Sequence, residues 1–334
     1  MIEPPLRFLS AADVTAAMPP LEERLRLAER TLVALADGSA ELPPKIGVHP
    51  RSTASFGHAM PAFLRGDDPG GRGDLLGMKW VVGHPANGAL GLPTIHATVV
   101  LNDPATGVPL AILDGGPITA ARTAAVSGVA IRHFAPVTGS GGGQHRVAIL
   151  GAGVQGHSHL EVVGHLLPGA SLAVFDRHPE RSEALAEAAR RTDGIADAAA
   201  APAPQDAVLG ADVVISAVSF GPVRQVMTNE WLAPDALVIP VDYATTCAAE
   251  VARDAALFLV DELGQFLANR DAGLFDAYPD PTATLGRAIL DSVRRPASGR
   301  VVATHLGTGL ADLILGTALV RAAALAGLGT VLPR

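Results

Sequence analysis

The sequence predicts an α/β fold that contains a doubly wound parallel sheet of the Rossmann type. The first observation is the short apolar run at residues 147–150, which is typical of a buried parallel strand and is followed by glycines in G-x-G-x-x-G spacing. The second is the alternation of apolar strand-like runs with helical segments from there to residue 261. Residues 78–114 contain strand-like runs separated by turns, which predicts a second, antiparallel sheet.

Composition limits the classes of protein to which this chain can belong. Its 334 residues are enough for two domains, each with its own core. Mean hydropathy is +0.31, but we find no uninterrupted apolar run of the about 20 residues that a membrane span needs. Residues 1–5 lack the pattern of a secretion signal and the single cysteine, Cys247, fits a reducing compartment, so we expect a cytoplasmic protein. A net charge of −8 and a pI of 5.7 argue against nucleic-acid and membrane partners and favour a small-molecule ligand.

Helices are predicted near the N-terminus, and strands follow them. Ser10 can cap a short helix over 11–18, and a second helix runs from Leu21 to a stop at Gly38. Residues 67–74, rich in Gly and Asp, are predicted to form an exposed loop. The predicted strands are at residues 78–82, 94–101 and 109–114, with turns at 87–88 and 106–107.

Two cations are unusual for their predicted surroundings. Lys79 interrupts an apolar strand, so it is either an edge charge that reaches water or a buried cation that faces a ligand. A helix is predicted over 119–135 with Thr119 as its N-cap, which places Arg122 in the first turn, where the helix dipole disfavours a cation. This placement indicates an anionic ligand, with a solvated surface arginine as the alternative. A Gly/Ser linker is predicted at 138–144.

The glycine-rich segment predicts a dinucleotide site. Gly151 permits a tight turn, Gly153 lets the backbone approach a pyrophosphate, and Gly156 lets the helix over 155–167 pack closely on the strand. The N-terminus of that helix offers N–H groups and a positive dipole end to phosphates. The alternative is a glycine-rich turn between strand and helix that binds nothing.

An acidic residue supports the dinucleotide interpretation and bears on the choice of cofactor. Asp176 ends the strand predicted at 172–175, where a carboxylate accepts hydrogen bonds from an adenosine ribose. Because the same carboxylate repels a 2′-phosphate, it favours NAD. Arg177 and His178 follow directly and are able to neutralise such a phosphate, so NADP stays open.

The alternation of helices and strands continues toward the C-terminus. A charged helix is predicted over 179–191, an Ala/Pro-rich loop over 194–205, and a long apolar helix over 307–325. Further strands are predicted at residues 211–216, 236–242 and 256–261. Ligands of such sheets bind beyond the carboxyl ends of the strands, which is where Ser216 and Asp242 lie.

Several stretches together resemble the ornithine cyclodeaminase/mu-crystallin family, and the similarity covers nearly the whole chain. These stretches are residues 60–62, 77–79, 85–87, 91–94, 114–115, 119–125 and 151–155. The resemblance implies a Rossmann NAD(P)-binding domain at 138–305, inserted in an α+β substrate-binding and dimerisation domain made of 1–137 and 306–334. It also implies a homodimer that forms through the substrate domain.

The same resemblance implies roles for individual residues. The implied substrate-binding residues are Lys45, His58, Met60, Lys79, Thr94 and Arg122. Lys79 and Asp242 are implied to be catalytic, moving protons as the C–N bond becomes C=N. The implied cofactor-binding residues are Thr94, Arg122, Thr123, Gly151, Ala152, Gly153, Val154, Gln155, Asp176, Arg177, Ser216, Ala217, Val218 and Asp242.

Two departures from the family's pattern bear on the substrate. Ornithine and lysine cyclodeaminases carry a glutamate two residues before the Met-Pro, where it can pair with the distal ammonium of a dibasic substrate, and this chain has His58 there. Loss of that partner in a desolvated site costs about 2–5 kcal/mol, which argues against ornithine. The segment after Asp242 also lacks the Pro-Gly-Lys that often follows in cyclodeaminases.

Three functions are consistent with these observations. The one we favour is an NAD(P)-dependent oxidoreductase, a dehydrogenase or an imine or ketimine reductase, that acts on the Cα–N bond of an amino or cyclic imino acid. The second is an ornithine cyclodeaminase that uses catalytic NAD to make proline, and the third is a non-catalytic nicotinamide- and ligand-binding protein.

No metal site is predicted, because His157 and His159 have the wrong spacing for one helical face. Cys247 has no identified base to activate it.

Overall fold

The computed structural model describes residues 4–50, 55–68, 71, 73–137, 143–219 and 224–333. The chain divides into two compact units, Met1–Arg122 with Gly307–Arg334, and Thr123–Leu306. Parts of three predicted segments lie outside the described residues. They are residues 1–3 at the N-terminus, 69, 70 and 72 of the predicted loop, and 138–142 of the predicted linker.

Helices and strands alternate along most of the described chain. The helices are α1 (Ala11–Ala16), α2 (Leu21–Asp37), α3 (Gly115–Phe134), α4 (Val154–Leu166), α5 (Pro179–Arg190), α6 (Pro204–Val208), α7 (Ala249–Arg253), α8 (Leu263–Asp271), α9 (Leu285–Leu290) and α10 (Gly309–Ala326). The strands are β1 (Leu6–Leu9), β2 (Ala40–Glu41), β3 (Ile46–Val48), β4 (Phe56–Leu64), β5 (Leu75–Gly83), β6 (Ile95–Asn102), β7 (Pro109–Asp114), β8 (Arg146–Leu150), β9 (Ala170–Phe175), β10 (Ile195–Ala200), β11 (Val213–Ser216), β12 (Leu237–Pro240), β13 (Leu257–Val260), β14 (Ala283–Thr284), β15 (Val301–Thr304) and β16 (Thr330–Leu332).

The first unit is built on a sheet with the strand order β16-β1-β7-β6-β5-β4-β2, in which β3 also pairs with β4. Its neighbouring strands are antiparallel except for the parallel pair β1 and β7. The predicted antiparallel sheet is therefore confirmed, and all three predicted strands are present in it. The turn predicted at 87–88 lies within a 3₁₀ helix, Pro85–Leu90.

One face of this sheet is buried and the other is partly exposed. Met60, Lys79 and Val99 are cross-strand neighbours, so their side chains share one face. Helix α10 packs on β4, β5 and β6 and also on α2, which covers that face. On the opposite face, Ile46 is 64% exposed and Trp80 is 39% exposed. The described residues of the first unit thus leave an apolar outer surface of the sheet partly uncovered.

Helix α10 is long and apolar enough to cross a membrane by length and composition alone, but more than half of it is buried inside the protein. The buried part includes Leu310, Leu313 and Leu319, which belong to the core of the first unit. A core helix of a globular unit has the same composition, so this helix is weak support for a membrane span.

Helix α3 begins earlier than predicted. Oδ1 of Asp114 accepts the N–H of Gly116 at 2.8 Å, so Asp114 caps the helix and the predicted N-cap role of Thr119 is wrong. Thr119 and Arg122 lie inside the helix, and the prediction that Arg122 occupies the first turn is also wrong. The helix runs across the division between the units, which falls between Arg122 and Thr123.

The second unit is a doubly wound parallel sheet, as predicted. Its strand order is β10-β9-β8-β11-β12-β15-β13-β14, and every neighbouring pair is parallel. The order reverses between β8 and β11, which is the place where such sheets bind ligands. The buried core around these strands includes Leu150, Val214 and Phe258.

The loop predicted over 194–205 is wrong for Ile195–Ala200, which forms the edge strand β10. Alanine has low strand propensity, and an alanine-rich run carries no clear alternation of apolar and polar residues. Pairing with β9 and packing against α5 stabilise this strand, and neither contact is visible in the local sequence. Strands β14 and β15 were not predicted either.

Candidate functional site

Three charged side chains of the first unit meet in its core. The Nζ of Lys79 lies 2.6 Å from Oδ2 of Asp312, and the Nε of Arg122 lies 3.3 Å from Oδ1 of the same carboxylate. Lys79 is 1% exposed, Arg122 8% and Asp312 0%. Two cations share one carboxylate, so one positive charge is left over when Lys79 is protonated. An excess of this sign favours an anionic ligand.

The elements that carry these residues explain why they meet. Lys79 faces the core because alternation along β5 places it on the side that α10 covers. Arg122 lies beside Gly307, whose φ of +75° and lack of a side chain let the guanidinium pack against its backbone. Asp312 lies in the first turn of α10. Burial excludes both the edge-charge interpretation of Lys79 and the surface interpretation of Arg122.

The surroundings of Lys79 change its acidity. Burial lowers the pKa of Lys79 to about 7, and the charge of Arg122 also lowers it, whereas the Asp312 carboxylate raises it. The hydroxyl of Thr119 lies 3.5 Å from Nζ. An amine with a pKa near 7 is populated in both protonation states at neutral pH, which suits a general acid or base.

Other predicted substrate residues flank Lys79 on the same sheet. Met60 is buried and lies opposite Lys79 in the register of β4 and β5. His58 lies two residues earlier on the same face of β4, half-buried, with its ring stacked on Phe56 at a centroid distance of 4.5 Å. Burial lowers the pKa of His58 to about 4, and the charge of Lys45 acts in the same direction. The imidazole is therefore neutral at neutral pH.

Two further predicted residues are Thr94 and Thr123. Thr94 is exposed in the segment before β6, and its carbonyl accepts the N–H of His84 at 2.8 Å. Thr123 is buried in α3 and is the first residue of the second unit. The roles implied for both stay predictions.

The second unit presents the dinucleotide motif in the predicted arrangement. Gly151 follows β8 with a φ of +101°, and a side chain there would meet the carbonyl of Ala217, so only glycine fits. Gly153 is the N-cap of α4, with open space where a Cβ would lie. Val154 and Gln155 are the first residues of the helix, and Val154 is 71% exposed. The first N–H groups of a helix have no acceptor within the helix, so they are able to bind a phosphate-bearing ligand.

Asp176 follows β9 and is fixed by two backbone N–H groups. Its Oδ2 accepts a hydrogen bond from the backbone N–H of Ala152 at 2.8 Å, and its Oδ1 accepts one from the backbone N–H of His178 at 2.9 Å. A carboxylate oxygen accepts more than one hydrogen bond, so both oxygens keep capacity for ribose hydroxyls. Arg177 is exposed, and its Nε donates to Nε2 of His178 at 3.2 Å. These residues fit the adenosine end of a dinucleotide.

Asp242 is buried beyond the end of β12 and accepts hydrogen bonds at both oxygens. The hydroxyl of Ser216 donates to Oδ1 at 3.2 Å, while the N–H of Val218 and the hydroxyl of Thr246 donate to Oδ2 at 3.2 and 2.7 Å. Burial raises the pKa of Asp242 to about 6, against the opposing effect of these hydrogen bonds. The carboxylate thereby fixes the segment after β11 that contains the predicted cofactor residues, including Ala217.

Sequence reasoning missed Asp312, which joins the two predicted cations. The signal was present, since Asp312 is the only acid in the otherwise apolar run 309–320. Among the described residues, no group of three or more His, Cys, Asp or Glu is placed to hold a metal ion. Burial raises the pKa of Cys247 to about 12, which does not suit a nucleophile.

Comparison with known proteins agrees with these features. The family model described as ornithine cyclodeaminase/mu-crystallin matches residues 7–261. The chain is 32% identical to the nodulation efficiency protein NfeD of Rhizobium meliloti over 98% of each chain. It is 28% identical to ketimine reductase mu-crystallin of Mus musculus, over 92% of this chain and 94% of that one.

A solved structure is similar over the full length. It is Thermococcus litoralis Delta(1)-pyrroline-2-carboxylate reductase in complex with NADH and L-proline, with a TM-score of 0.83 and 25% identity, covering 98% of this chain and 100% of that one. The match to the family model covers most of the chain, and the resemblance inferred from the sequence is confirmed. The chain belongs to the ornithine cyclodeaminase/mu-crystallin family.

Proposed function

We propose that the protein is an NAD-dependent oxidoreductase that acts on the Cα–N bond of an amino or cyclic imino acid, as a dehydrogenase or as an imine or ketimine reductase. The observation that carries this proposal is the buried cluster of Lys79, Arg122 and Asp312, which combines an excess positive charge with an amine that titrates near pH 7. Two relatives support it, since they are named as reductases of a ketimine and of a pyrroline-2-carboxylate.

Arg122 and Lys45 orient the substrate through its carboxylate. A guanidinium binds a carboxylate by two parallel hydrogen bonds, which fixes direction as well as position. In a buried site this contact is also strong, because little water competes for the charges. Holding the carboxylate fixes the neighbouring Cα–N bond, which is the bond that reacts.

Lys79 moves the proton of the reaction. During reduction of a C=N bond, the carbon receives a hydride and the nitrogen receives a proton to become an amine. Protonated Lys79 donates that proton from Nζ, and neutral Lys79 accepts it when the reaction runs from amine to imine. Asp242, with a pKa of about 6, is the second candidate for proton transfer.

The cofactor is NAD, which supplies or accepts the hydride when it is bound. Residues 151–155 hold its pyrophosphate through backbone N–H groups, and Asp176 accepts hydrogen bonds from its adenosine ribose. A 2′-phosphate would meet the charge of Asp176, so NADP is the weaker ligand. Arg177 is exposed and is the residue on which any residual binding of NADP would depend.

The neutral imidazole of His58 argues for a substrate with an uncharged side chain. It offers no negative charge to a distal ammonium, and Lys45 adds a positive charge nearby. A dibasic amino acid would therefore bind without a partner for its second ammonium, at a cost of about 2–5 kcal/mol.

We extend the proposal to assembly and location. A homodimer forms through the first unit, covering the outer sheet face on which Ile46, Val48 and Trp80 are exposed. In this proposal, 1–137 with 306–334 is the substrate-binding and dimerisation domain, and 138–305 is the inserted NAD-binding domain. The single, buried cysteine fits a cytoplasmic location.

The test follows the absorbance of reduced nicotinamide with purified protein and a panel of cyclic imino acids and of 2-oxo acids with amines. Ornithine with NAD runs in parallel. Oxidation of NADH by one imine class supports the proposal, and Lys79→Met should then bind NADH and lose turnover. Proline and ammonia from ornithine without net NADH would identify a cyclodeaminase instead. Tight NADH binding with no turnover on any substrate would identify a non-catalytic binding protein.

A further inference from the structure

A row of buried polar side chains, which the proposed chemistry does not use, crosses the core of the second unit. The Nε2 of His159 lies 2.8 Å from the hydroxyl oxygen of Ser127, which lies 2.9 Å from the Nε2 of His305. The Nδ1 of His159 lies 2.6 Å from the carbonyl oxygen of Gln155. Ser127 and His159 are fully buried, and His305 is 3% exposed. These contacts form one continuous chain of hydrogen bonds.

The chemistry of these groups gives the chain one direction. A carbonyl oxygen only accepts, so the Nδ1 of His159 carries the proton, and the Nε2 of a neutral ring is then an acceptor. The hydroxyl of Ser127 must therefore donate to His159, and it accepts in turn from Nε2–H of His305. Burial lowers the pKa of His159 to about 4, which keeps the ring neutral. The proton of each hydrogen bond in this row is therefore assigned to one donor atom.

One end of the chain of hydrogen bonds lies where the polypeptide enters and leaves the second unit. Ser127 lies one helical turn after Thr123, the first residue of that unit, and His305 directly precedes Leu306, its last residue. The bond between Ser127 and His305 therefore ties the entering and leaving segments together. Buried polar groups that are hydrogen-bonded to one another in this way favour one arrangement of the elements that carry them.

The other end lies in the first turn of α4, at the dinucleotide motif. The carbonyl of Gln155 and the N–H of Gly156 belong to one planar peptide unit, so fixing the carbonyl also fixes the direction of that N–H. The N–H of Gly156 is one of the first in α4, which have no acceptor within the helix and are the groups that bind phosphates. The hydroxyl of Ser158 also donates to the carbonyl of Gln155, at 3.0 Å.

We propose that Ser127, His159 and His305 are positioning residues for the cofactor, which hold the phosphate-binding turn of α4 to the entering and leaving segments of the second unit. The proposal rests on the proposed NAD-dependent function. None of the three residues touches the reacting atoms in this role. They act through the peptide between Gln155 and Gly156.

The test compares Ser127→Ala with Ser127→Thr and with Tyr278→Phe. Ser127→Ala breaks both links at the centre, and alanine is a good helix former, so the fold should persist. Ser127→Thr keeps the hydroxyl. Tyr278→Phe is a matched control, because it removes another buried hydroxyl of the same unit, which donates to the carbonyl of Cys247 at 2.6 Å. His305→Asn is a second variant, which removes the Nε2–H that donates to Ser127.

Two quantities are measured, the dissociation constant of NADH by fluorescence and the hydrogen exchange of the peptide over 154–160 without cofactor. In Ser127→Ala we expect about tenfold weaker NADH binding and faster exchange in this peptide, with kcat at saturating NADH changed much less. Ser127→Thr should restore both quantities toward the wild type. His305→Asn should change both in the same direction as Ser127→Ala, and Tyr278→Phe should change neither.

Unchanged exchange and unchanged NADH affinity in Ser127→Ala and His305→Asn would overturn the inference. A loss of NADH affinity in Tyr278→Phe equal to that in Ser127→Ala would also overturn it, because the loss would then reflect a general decrease in stability. The proposed function fails separately, if the wild-type protein does not bind NADH. In that case the exchange measurement still decides whether these residues hold α4.

Discussion

The ammonium of Lys79 and the carboxylate of Asp312 lie 2.6 Å apart, and both side chains are buried. Asp312 also holds Arg122, so one carboxylate positions both cations of the proposed substrate site. A lone buried ammonium loses its proton readily, because the low-dielectric interior disfavours charge. Asp312 opposes this effect of burial and of the Arg122 charge, and so favours the protonated form of Lys79.

Asp312→Asn is expected to move the pH dependence of the reductive reaction. Without the carboxylate the pKa of Lys79 falls further below about 7, so protonated Lys79 is lost at lower pH. We expect the alkaline limb of the kcat/KM profile to move down by about 1–2 pH units. The control is Asp261→Asn, another buried carboxylate, which accepts the N–H of Leu306 at 2.9 Å. If the alkaline limb of the kcat/KM profile does not move in Asp312→Asn, the proton donor is a residue other than Lys79.

Arg122→Ala should weaken the binding of carboxylated substrates. Losing a desolvated, hydrogen-bonded charge pair costs about 2–5 kcal/mol, which corresponds to an increase in KM of about 30-fold to several thousand-fold. Steady-state kinetics with the imine identified for the wild type measures this. Arg132→Ala is the matched control, because Arg132 is exposed on the same helix. Equal KM values for Arg122→Ala and the wild type would remove Arg122 from the substrate site.

His58→Glu should increase the response to ornithine. A carboxylate at this position on β4 would give the distal ammonium of a dibasic substrate the partner that the neutral imidazole does not provide. We expect ornithine to bind at least about tenfold more tightly to this variant, as measured by calorimetry with NAD present. His58→Gln, which stays neutral, should bind ornithine like the wild type. An equal gain in His58→Gln would show that size, not charge, selects the side chain.

The contribution of Asp242 to the stability of the protein should fall as the pH rises from about 4 to about 6. Its pKa is raised from 3.8 to about 6, so in this interval the folded protein binds more protons than the unfolded chain does. Rising pH therefore removes stability, by up to about 3 kcal/mol across the interval. Urea unfolding at several pH values should show that the free-energy difference between wild type and Asp242→Asn changes with this sign. A difference that is constant with pH would contradict the raised pKa.

Trp80→Glu should dissociate the proposed homodimer. Trp80 lies on the outer face of the first unit's sheet, and a charge placed there would be buried without a partner in the interface. Light scattering coupled to size exclusion should report the dimer mass for the wild type and the monomer mass for this variant. Leu325→Glu is the control, because Leu325 is 92% exposed near the end of α10. Identical masses for all three proteins would reject this face as the interface.

The features that sequence reasoning found are those encoded by neighbouring residues. Gly151, Gly153 and Asp176 lie in and directly after one strand-helix-strand segment, and the glycine spacing together with that context predicts the turn, the helix start and the position of the acid. The roles of Lys79 and Arg122 came from family resemblance, since the local pattern left both of their interpretations open.

The features that it missed depend on residues that are far apart in the chain. Asp312 meets Arg122 across 190 positions, and no local pattern reports such a contact. No helix or strand was predicted within residues 262–300, because their short elements, such as α9, show no clear periodicity. The start of α3 was misplaced because two glycines and a proline follow Asp114, a composition that is typical of a turn.

Dissolved salt should act unequally on the charges of the first unit. Counterions weaken an interaction only where they can approach the charges, and the burial of Lys79 and Asp312 keeps them away. Lys45 is partly exposed, so its attraction for an incoming anion is open to screening. A change in ionic strength therefore alters how readily an anionic substrate is captured, while the protonation of Lys79 stays nearly constant.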